Sequence, residues 1–263
     1  YNGPSAVVLS NHYNSALTNC CTTPMPAGTG NITNEPGVAF GNPHIAADSP
    51  CVNAGSNLWA YGTDIDAEPR IVAGTVDLGC DEVTNLTGQL GAAIVLPYTT
   101  VIVNYAQTIV ASIEGKFSFY CWSIATNSGE VSFVLTNLPS ISLSWASTGH
   151  YRVVLSAVNS SMATTVTGSV VVVDRNSPGA IKYARRDSTS AAWPYDTWAT
   201  AASNMQDAVD AQSIPEGLVL VSNGVYDLGG SLTPGASWVT SRVVIAKALV
   251  VQSVNGPGVT SIQ

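Results

Sequence analysis

Charged residues are scarce in this chain. Asp, Glu, Lys and Arg together make up 10% of its 263 residues, whereas about 25% is usual for a globular domain. Lys and Arg number only nine, and the formal net charge is −8 at pH 7. A chain with this balance repels the phosphate backbone of DNA and RNA, so we expect no nucleic-acid partner.

Long apolar runs are also missing. A membrane-spanning helix needs about 20 consecutive apolar residues, and the run "SVVVVD" at 169–174 is far shorter and typical of a strand. We therefore expect no membrane span in this segment. The sequence shows neither an initiator Met nor a signal peptide, and we expect a mature form or a piece of a longer polypeptide.

The residues that most often carry catalysis are few and dispersed. His12, His44 and His150 lie in different segments, and the chain has no GxSxG motif. No spacing indicates a Ser-His-Asp or Cys-His grouping. We therefore expect no catalytic residues and interpret the chain as a non-enzyme.

The five cysteines do not form a metal-binding pattern. None belongs to a CxxC pair with nearby His, so zinc is poorly supported. Because the number is odd, at least one thiol stays unpaired or pairs between chains. Sequence leaves the connectivity open, including whether the vicinal pair at 20–21 bridges to later cysteines or stays as buried thiols. The disulfide candidates are Cys20, Cys21, Cys51 and Cys80.

Residues 1–86 are rich in turn-forming residues. The stretch "TTPMPAGTGNITNEPG" at 22–37 is a succession of turn signals. Apolar pieces such as "GVAF" at 37–40 are short, and helical periodicity is absent. This pattern predicts loop-rich β structure whose strands are too short to form a sheet alone.

The composition changes at residues 87–174, which form a series of short runs rich in strand-forming residues. About seven strand candidates, rich in Val, Ile, Thr and aromatics, are separated by turn signals. This arrangement predicts an antiparallel β-sandwich of immunoglobulin type. Trp122 is the candidate for its buried core tryptophan. In "YRVVLSAV", alternation places four side chains on one face: Tyr151, Val153, Leu155 and Ala157.

Residues 175–263 begin with a linker and contain one helix near 203–212, "SNMQDAVDAQ". Ser203 is the expected N-cap, with Gln206 at the capping-box spacing. Four residues share one helical face: Met205, Ala208, Val209 and Gln212. The β runs that follow recur at roughly 20–25 residues, which suits a right-handed parallel β-helix whose first coil the helix caps.

An acidic motif, "DIDAEPR", occupies residues 64–70. In an extended chain Asp64, Asp66 and Glu68 would face the same way and converge on Ca²⁺, which prefers carboxylate oxygen. The alternative, which we favour, is that these carboxylates cap turns and pair with Arg70. Calcium is the one cofactor that the sequence suggests.

Aromatic and basic residues cluster at the start of the third segment. Trp193, Tyr195 and Trp198 follow the basic stretch "KYARRD" at 182–187. These rings would stack on sugars or cover the hydrophobic end of the first coil, and we favour the second. The basic stretch would contact anionic polysaccharide or, as we favour, form a solvated edge.

Taken in order, the three segments resemble known modules. "SPCVNAG" and "DIDAEPR", within residues 19–83, resemble the C-terminal end of secreted bacterial parallel β-helix proteins of the choice-of-anchor Q type. Residues 197–262 resemble the N-terminal cap and first coils of the same family. "SWASTGHYRVVLSAVN" at 144–159 resembles a polycystic-kidney-disease (PKD) type sandwich. The resemblance implies an all-β chain with β-helix portions at 1–86 and 175–263 flanking a PKD-like sandwich at 87–174.

The resemblance also implies a function. We expect a non-catalytic, extracellular or cell-surface structural segment of a large β-rich surface or fibre protein. Its β-helix ends would meet adjacent modules of a longer chain, or other copies head-to-tail. The alternative is a polysaccharide lyase or hydrolase, or a carbohydrate-binding adhesion protein, whose active coils lie outside this window.

Overall fold

The computed structural model describes His12 and residues 15–126 and 131–263. This part of the chain is built mainly of β-strands, and its one α-helix is short. The prediction of an all-β chain is therefore confirmed. In the described ranges, no helix has both the length and the apolar character needed to cross a membrane.

The chain divides into two compact units. The first comprises residues up to 96 together with 108–141 and 152–168. The second comprises 97–107, 142–151 and 169–263. The predicted sandwich segment, 87–174, contributes residues to both units.

The described residues from 15 to 90 form turns and isolated bridges without a strand, apart from a 3-10 turn at Asn57–Trp59. A small apolar core of Ile45, Cys51 and Leu78 supports them. The described residues of this segment therefore form single bridges and no sheet. The bridges pair Cys21 with Ile32 in parallel, and Val38 with Ile45 and Thr63 with Pro69 in antiparallel fashion.

Residues 91–173 form eight strands in two sheets. Their orders are β1-β3-β6 and β2-β8-β7-β4-β5. β1 and β3 pair antiparallel, as do β4 and β5, but β2 runs parallel to β8, so the antiparallel expectation is wrong for that pair. The strands are β1 Gly91–Val95, β2 Thr100–Ile102, β3 Gln107–Glu114, β4 Phe119–Thr126, β5 Val131–Thr136, β6 Ser140–Leu143, β7 Gly149–Val158 and β8 Ala163–Val173.

Alternating burial along these strands creates the core of the first unit. β3 buries every second side chain, and in β7 Val153, Leu155 and Ala157 are buried, as predicted. Trp122 in β4 is fully buried, and its indole N–H donates to the carbonyl of Leu138 at 2.8 Å. Satisfying this donor inside the core lets the ring contribute its full apolar area.

The second unit contains parallel strands that stack in register. β10 (Gly217–Val221) lies between β9 (Ile181–Ala184) and β14 (Leu249–Ser253). Leu218 pairs with Ile181 and with Val250, so stacked strands lie 37 and 32 residues apart, not the predicted 20–25. The spacing is longer because the connections between stacked strands also hold a helix or a hairpin.

A second pair of strands stacks in parallel in the same way. β11 (Gly224–Tyr226) pairs in register with β15 (Thr260–Ile262). Between them, β12 (Ser231–Thr233) and β13 (Ala236–Ser241) form an antiparallel hairpin.

The helix α1 spans Met205–Ala211. Its buried face packs with Val219, Val221 and Tyr226 of the stacked strands, and the predicted apolar face is confirmed. The predicted cap is wrong: the N-cap is Asn204, whose Oδ1 accepts from the Asp207 N–H at 2.9 Å. Asn is as good a cap as Ser, so sequence preference does not decide between the two positions.

Replacing Asn204 with Ala should lower the free energy of unfolding by about 1 kcal/mol, because the N–H of Asp207 loses its acceptor. Ser203→Ala is the matched control and should leave stability nearly unchanged. Chemical denaturation followed by circular dichroism measures both. A larger loss in Ser203→Ala than in Asn204→Ala would contradict the assignment of the cap.

Candidate functional site

Asp64 acts as a turn cap. Its Oδ1 accepts the N–H groups of Asp66 and Glu68, both at 2.9 Å, and its Oδ2 accepts the Glu82 N–H at 3.1 Å. Burial would raise the pKa of Asp64, but these three hydrogen bonds hold it below its usual range. Both oxygens of this carboxylate therefore already have backbone donors.

The other two residues of the predicted calcium triad meet a lysine. Lys116 Nζ lies 2.9 Å from Asp66 Oδ2 and 2.8 Å from Glu68 Oε2. The Thr84 hydroxyl also donates to Glu68 Oε2. Asp64, Asp66 and Glu68 do offer oxygens within 4.8 Å of one another, but an ammonium group already neutralises two of them. Arg70 pairs with Glu82 instead, at 3.5 Å.

Two further residues, neither of them part of the predicted calcium triad, converge on Asp66. His44 Nε2 lies 3.0 Å from Asp66 Oδ2, and Asp81 offers a carboxylate oxygen within 4.8 Å of both. Asp81 is 2% exposed, and burial raises its pKa. Its Oδ2 accepts the Ile45 N–H at 3.2 Å, whereas its Oδ1 has no hydrogen-bond partner in the described part of the chain.

All five cysteines are free thiols in this structure. Cys21 packs against the apolar cluster that contains buried Cys51. Burial raises the pKa of the Cys21 thiol to about 12, and a hydrogen bond with the Cys51 thiol adds to the rise. Cys20 and Cys80 lack this contact: the Cys20 thiol donates to the Thr18 carbonyl at 3.3 Å, and Cys80 is exposed.

The three residues of the predicted aromatic cluster lie in three different environments. Trp193 is 76% exposed, and Tyr195 packs against the core around α1. Trp198 packs against Tyr183 with ring centroids 4.6 Å apart and the ring planes tilted by 58°. Trp198 also lines a cavity of about 420 Å³, which we call the Trp198 groove, together with Arg185, Asp187, Ser222, Asn223, Val254 and Asn255.

The basic stretch is largely neutralised by neighbouring acids. Lys182 lies in β9 and is buried, which lowers its pKa against the nearby charge of Asp196. Arg186 makes two hydrogen bonds to Asp227 Oδ1, at 2.9 and 3.1 Å. The expectation of a solvated edge is therefore wrong for Lys182, because that residue belongs to a covered strand.

An exposed apolar patch on the first unit has no counterpart among the features predicted from the sequence. Leu58, Trp59 and Tyr61 are each at least 75% exposed and line a cavity of about 390 Å³. These residues belong to the run "NLWAY" within a turn-rich stretch. Apolar residues in a loop follow no regular spacing, so the sequence does not predict whether their side chains are buried or exposed.

The outer sides of β14 and β15 are open in the part of the chain that the structure describes. β14 is at the edge of its sheet, and β15 pairs only with β11. Apolar side chains near them are roughly half exposed, namely Val254, Val259 and Ile262. We call these two strands and three side chains the open coil edge.

A scan against protein-family models finds no match for the chain, and no curated protein matches its sequence. Function is therefore inferred from the chain's own geometry. Three features offer chemistry or contact: the open coil edge, the Trp198 groove and the cluster around Asp81.

Proposed function

We propose that this chain is a structural segment of a large extracellular β-rich surface or fibre protein. The observation that carries the proposal is the in-register parallel stacking of β9, β10 and β14, repeated by β11 and β15. Three parallel strand pairs, in two sheets, advance in the same direction by similar residue spacings. That is the arrangement expected when one coil of a parallel β-helix lies on the next.

The sandwich assignment at 87–174 has separate support. Two sheets bury alternate side chains, and a fully buried tryptophan, Trp122, lies on β4. An immunoglobulin-like, PKD-type sandwich has this combination of two sheets over one core. Such a domain in a surface protein acts as a spacer between larger modules.

Residues 1–86 are proposed to be the closing portion of a parallel β-helix of the choice-of-anchor Q type. The parallel bridge between Cys21 and Ile32 is consistent with stacked chain segments. Asp64 and Glu82 hold the final turns through backbone hydrogen bonds, which suits a terminal motif.

The open coil edge supports assembly through β-strand addition. An edge strand presents unpaired N–H and C=O groups that bind another strand readily. Here the edge also presents half-exposed apolar side chains that a further coil would cover. The partner is either an adjacent coil of a longer chain or another copy that docks head-to-tail.

Electron microscopy and sedimentation of the purified chain at rising concentration test this proposal. Filaments with a repeat of one chain indicate head-to-tail docking, and concentration-dependent irregular aggregates indicate an edge that needs a contiguous coil. Val254→Lys with Ile262→Lys should reduce either form of association at least tenfold, because two charges would be buried. Val95→Lys, at another exposed valine, is the matched control.

Hydrogen exchange is the measurement that could contradict strand addition at the open coil edge. If the chain stays monomeric and the outward amides of β14 and β15 are protected in dilute solution, the edge is already closed. That result would remove the basis for strand addition.

Carbohydrate binding is a second candidate, favoured by the Trp198 groove. The Trp198 indole packs against a neighbouring ring. Arg185, Asp187 and two asparagine residues line the groove beside it. Sugar-binding sites likewise combine an apolar ring face with polar groups. Arg185 and Asp187 also form an ion pair at 3.2 Å, which fixes one wall.

Trp198→Ala should weaken binding to a panel of neutral and uronate oligosaccharides at least tenfold, because the stacking surface is lost. Trp193→Ala removes an equally large ring that is exposed and outside the groove. It should retain binding. Glycan arrays followed by calorimetry measure the effect, and equal losses in both variants would contradict a site at the groove.

A further inference from the structure

His44 is oriented by a buried amide. Asn42 donates its Nδ2 to the carbonyls of Ile113 and Gly115, at 3.0 and 2.9 Å. Its Oδ1 therefore faces His44 and lies 2.6 Å from Nδ1. Because an amide oxygen only accepts, Nδ1 carries a proton. Nε2 faces Asp66 Oδ2 at 3.0 Å and must be without a proton when it binds a metal ion. A hydrogen bond at one ring nitrogen is the usual way in which a protein aims the other at a metal ion.

Asp81 supplies an independent sign of an unfilled position in this cluster. Its carboxylate is almost fully buried, yet Oδ1 has no hydrogen-bond partner in the described residues. A buried polar oxygen without a partner is costly, and such groups are rare in folded proteins. The positive charges of Lys116 and His44 act on Asp81 from nearby. The Lys116 ammonium makes its ion pairs with Asp66 and Glu68, however, and gives Asp81 Oδ1 no hydrogen bond.

We propose that His44, Asp66 and Asp81 bind a divalent transition-metal ion, with Zn²⁺ as the preferred probe. Their ligand atoms lie within 4.8 Å of one another. Bonds of about 2.0–2.2 Å to one ion leave adjacent ligand atoms about 3–4 Å apart, so small side-chain movements suffice. His44 would contribute Nε2, and Asp66 and Asp81 one carboxylate oxygen each.

The chemical type of the three ligand atoms indicates which metal ions the site should prefer. One imidazole nitrogen with two carboxylates suits Zn²⁺ or Mn²⁺, whereas Ca²⁺ takes oxygen ligands almost exclusively. The set also differs from the triad that the sequence suggested. Both sets contain Asp66, which Lys116 contacts at 2.9 Å. The proposed set replaces Asp64, whose oxygens are held by backbone amides, and Glu68, which is held by Lys116 and Thr84.

Metal binding to the full, tag-free chain tests the proposal. Titration calorimetry with ZnCl₂, MnCl₂ and CaCl₂, with metal content measured by plasma mass spectrometry, should give one tight Zn²⁺ per chain and at least tenfold weaker Ca²⁺. His44→Gln and Asp81→Asn should each weaken Zn²⁺ binding at least tenfold. Glu35→Gln, an exposed acid in the same unit, is the matched control and should bind as the parent chain does.

Two readouts distinguish this site from zinc binding by the cysteine thiols and from a cluster that only stabilises the fold. Co²⁺ substituted for Zn²⁺ should give visible d–d bands without the near-ultraviolet sulfur charge-transfer band that thiolate ligands would produce. Lys116→Met should tighten Zn²⁺ binding several-fold, since a competing ammonium is removed from Asp66. A purely structural role for the cluster would not produce that gain.

Several results would overturn the proposal. These are absence of stoichiometric Zn²⁺ in the parent chain, thiolate bands on Co²⁺ binding, or unchanged affinity in Asp81→Asn. If His44→Gln or Asp81→Asn fails to fold, the ¹⁵N shift of His44 Nε2 in the parent chain decides the matter. It should move on Zn²⁺ addition while Nδ1 stays protonated, and an unchanged Nε2 signal would refute the site.

Discussion

Mild oxidation of the folded chain should join Cys21 to Cys51 and raise the free energy of unfolding by about 3–4 kcal/mol. The two thiols lose two protons and two electrons to an oxidant such as glutathione disulfide, which is reduced to two thiols. The bond would close a loop of about 30 residues, and that restriction of the unfolded chain is the source of the gain. Cys51 is buried, and Cys21 packs against the apolar cluster to which Cys51 belongs.

Peptide mapping and denaturant unfolding with and without reductant measure this effect. Cys21→Ala should abolish the difference between the two conditions. Cys80→Ala is the matched control and should retain it, since Cys80 is exposed and outside the contact. A mapped Cys20–Cys80 bridge, or a midpoint that reductant does not change, would contradict the pairing.

Replacing Gln212 with Leu should lower the free energy of unfolding of the second unit by about 2–3 kcal/mol, because three hydrogen bonds to backbone groups are lost. Of these groups the Ala180 carbonyl keeps a donor, the Leu218 N–H at 3.0 Å. Gln212 Nε2 donates to the carbonyls of Ala180 and Leu218 at 2.9 and 3.1 Å. Its Oε1 accepts the Ile214 N–H at 3.1 Å. The side chain thus joins the end of α1 to two stacked strands.

Gln252→Leu is the control for this prediction, since Gln252 is exposed on β14 of the same unit. It should change stability by less than about 0.5 kcal/mol. Thermal unfolding followed by near-ultraviolet circular dichroism distinguishes the two variants. Equal stability of Gln212→Leu and the parent chain would show that water replaces the amide at this position.

The strands of the middle segment could be predicted because their sequences combine two signals, an alternation of buried and exposed side chains and clear turn residues between strands. Trp122 and the buried face of β7 follow from that pattern. One run, residues 100–113, has the composition of a single strand but is divided between β2 and β3. Asn104 adopts φ +67° between them, a left-handed conformation that Asn tolerates and that apolar periodicity does not report.

The site around Asp81 could not be predicted by the same means. His44 and Asp81 are 37 residues apart in a segment without strands, so neither period 2 nor period 3.6 relates them. What brings them together is a set of single hydrogen bonds, such as that from the Ile45 N–H to Asp81. The predicted pairing of Arg70 with the carboxylates of residues 64–68 is wrong for a similar reason. Arg70 pairs with Glu82, because turns reverse the chain direction between them.

The stacked strands have a consequence for how this chain spans distance. Adjacent strands in a sheet are separated by about 4.8 Å, so each further stacked strand, 32 to 37 residues along the chain, lengthens the stack by only that amount. An α-helix of 32 residues would reach about 48 Å. By contrast β7 and β8, with 10 and 11 residues, each extend about 33–36 Å. Reach per residue is therefore greater in these two long strands, and the stacked parallel strands instead supply breadth, in the form of lateral surface.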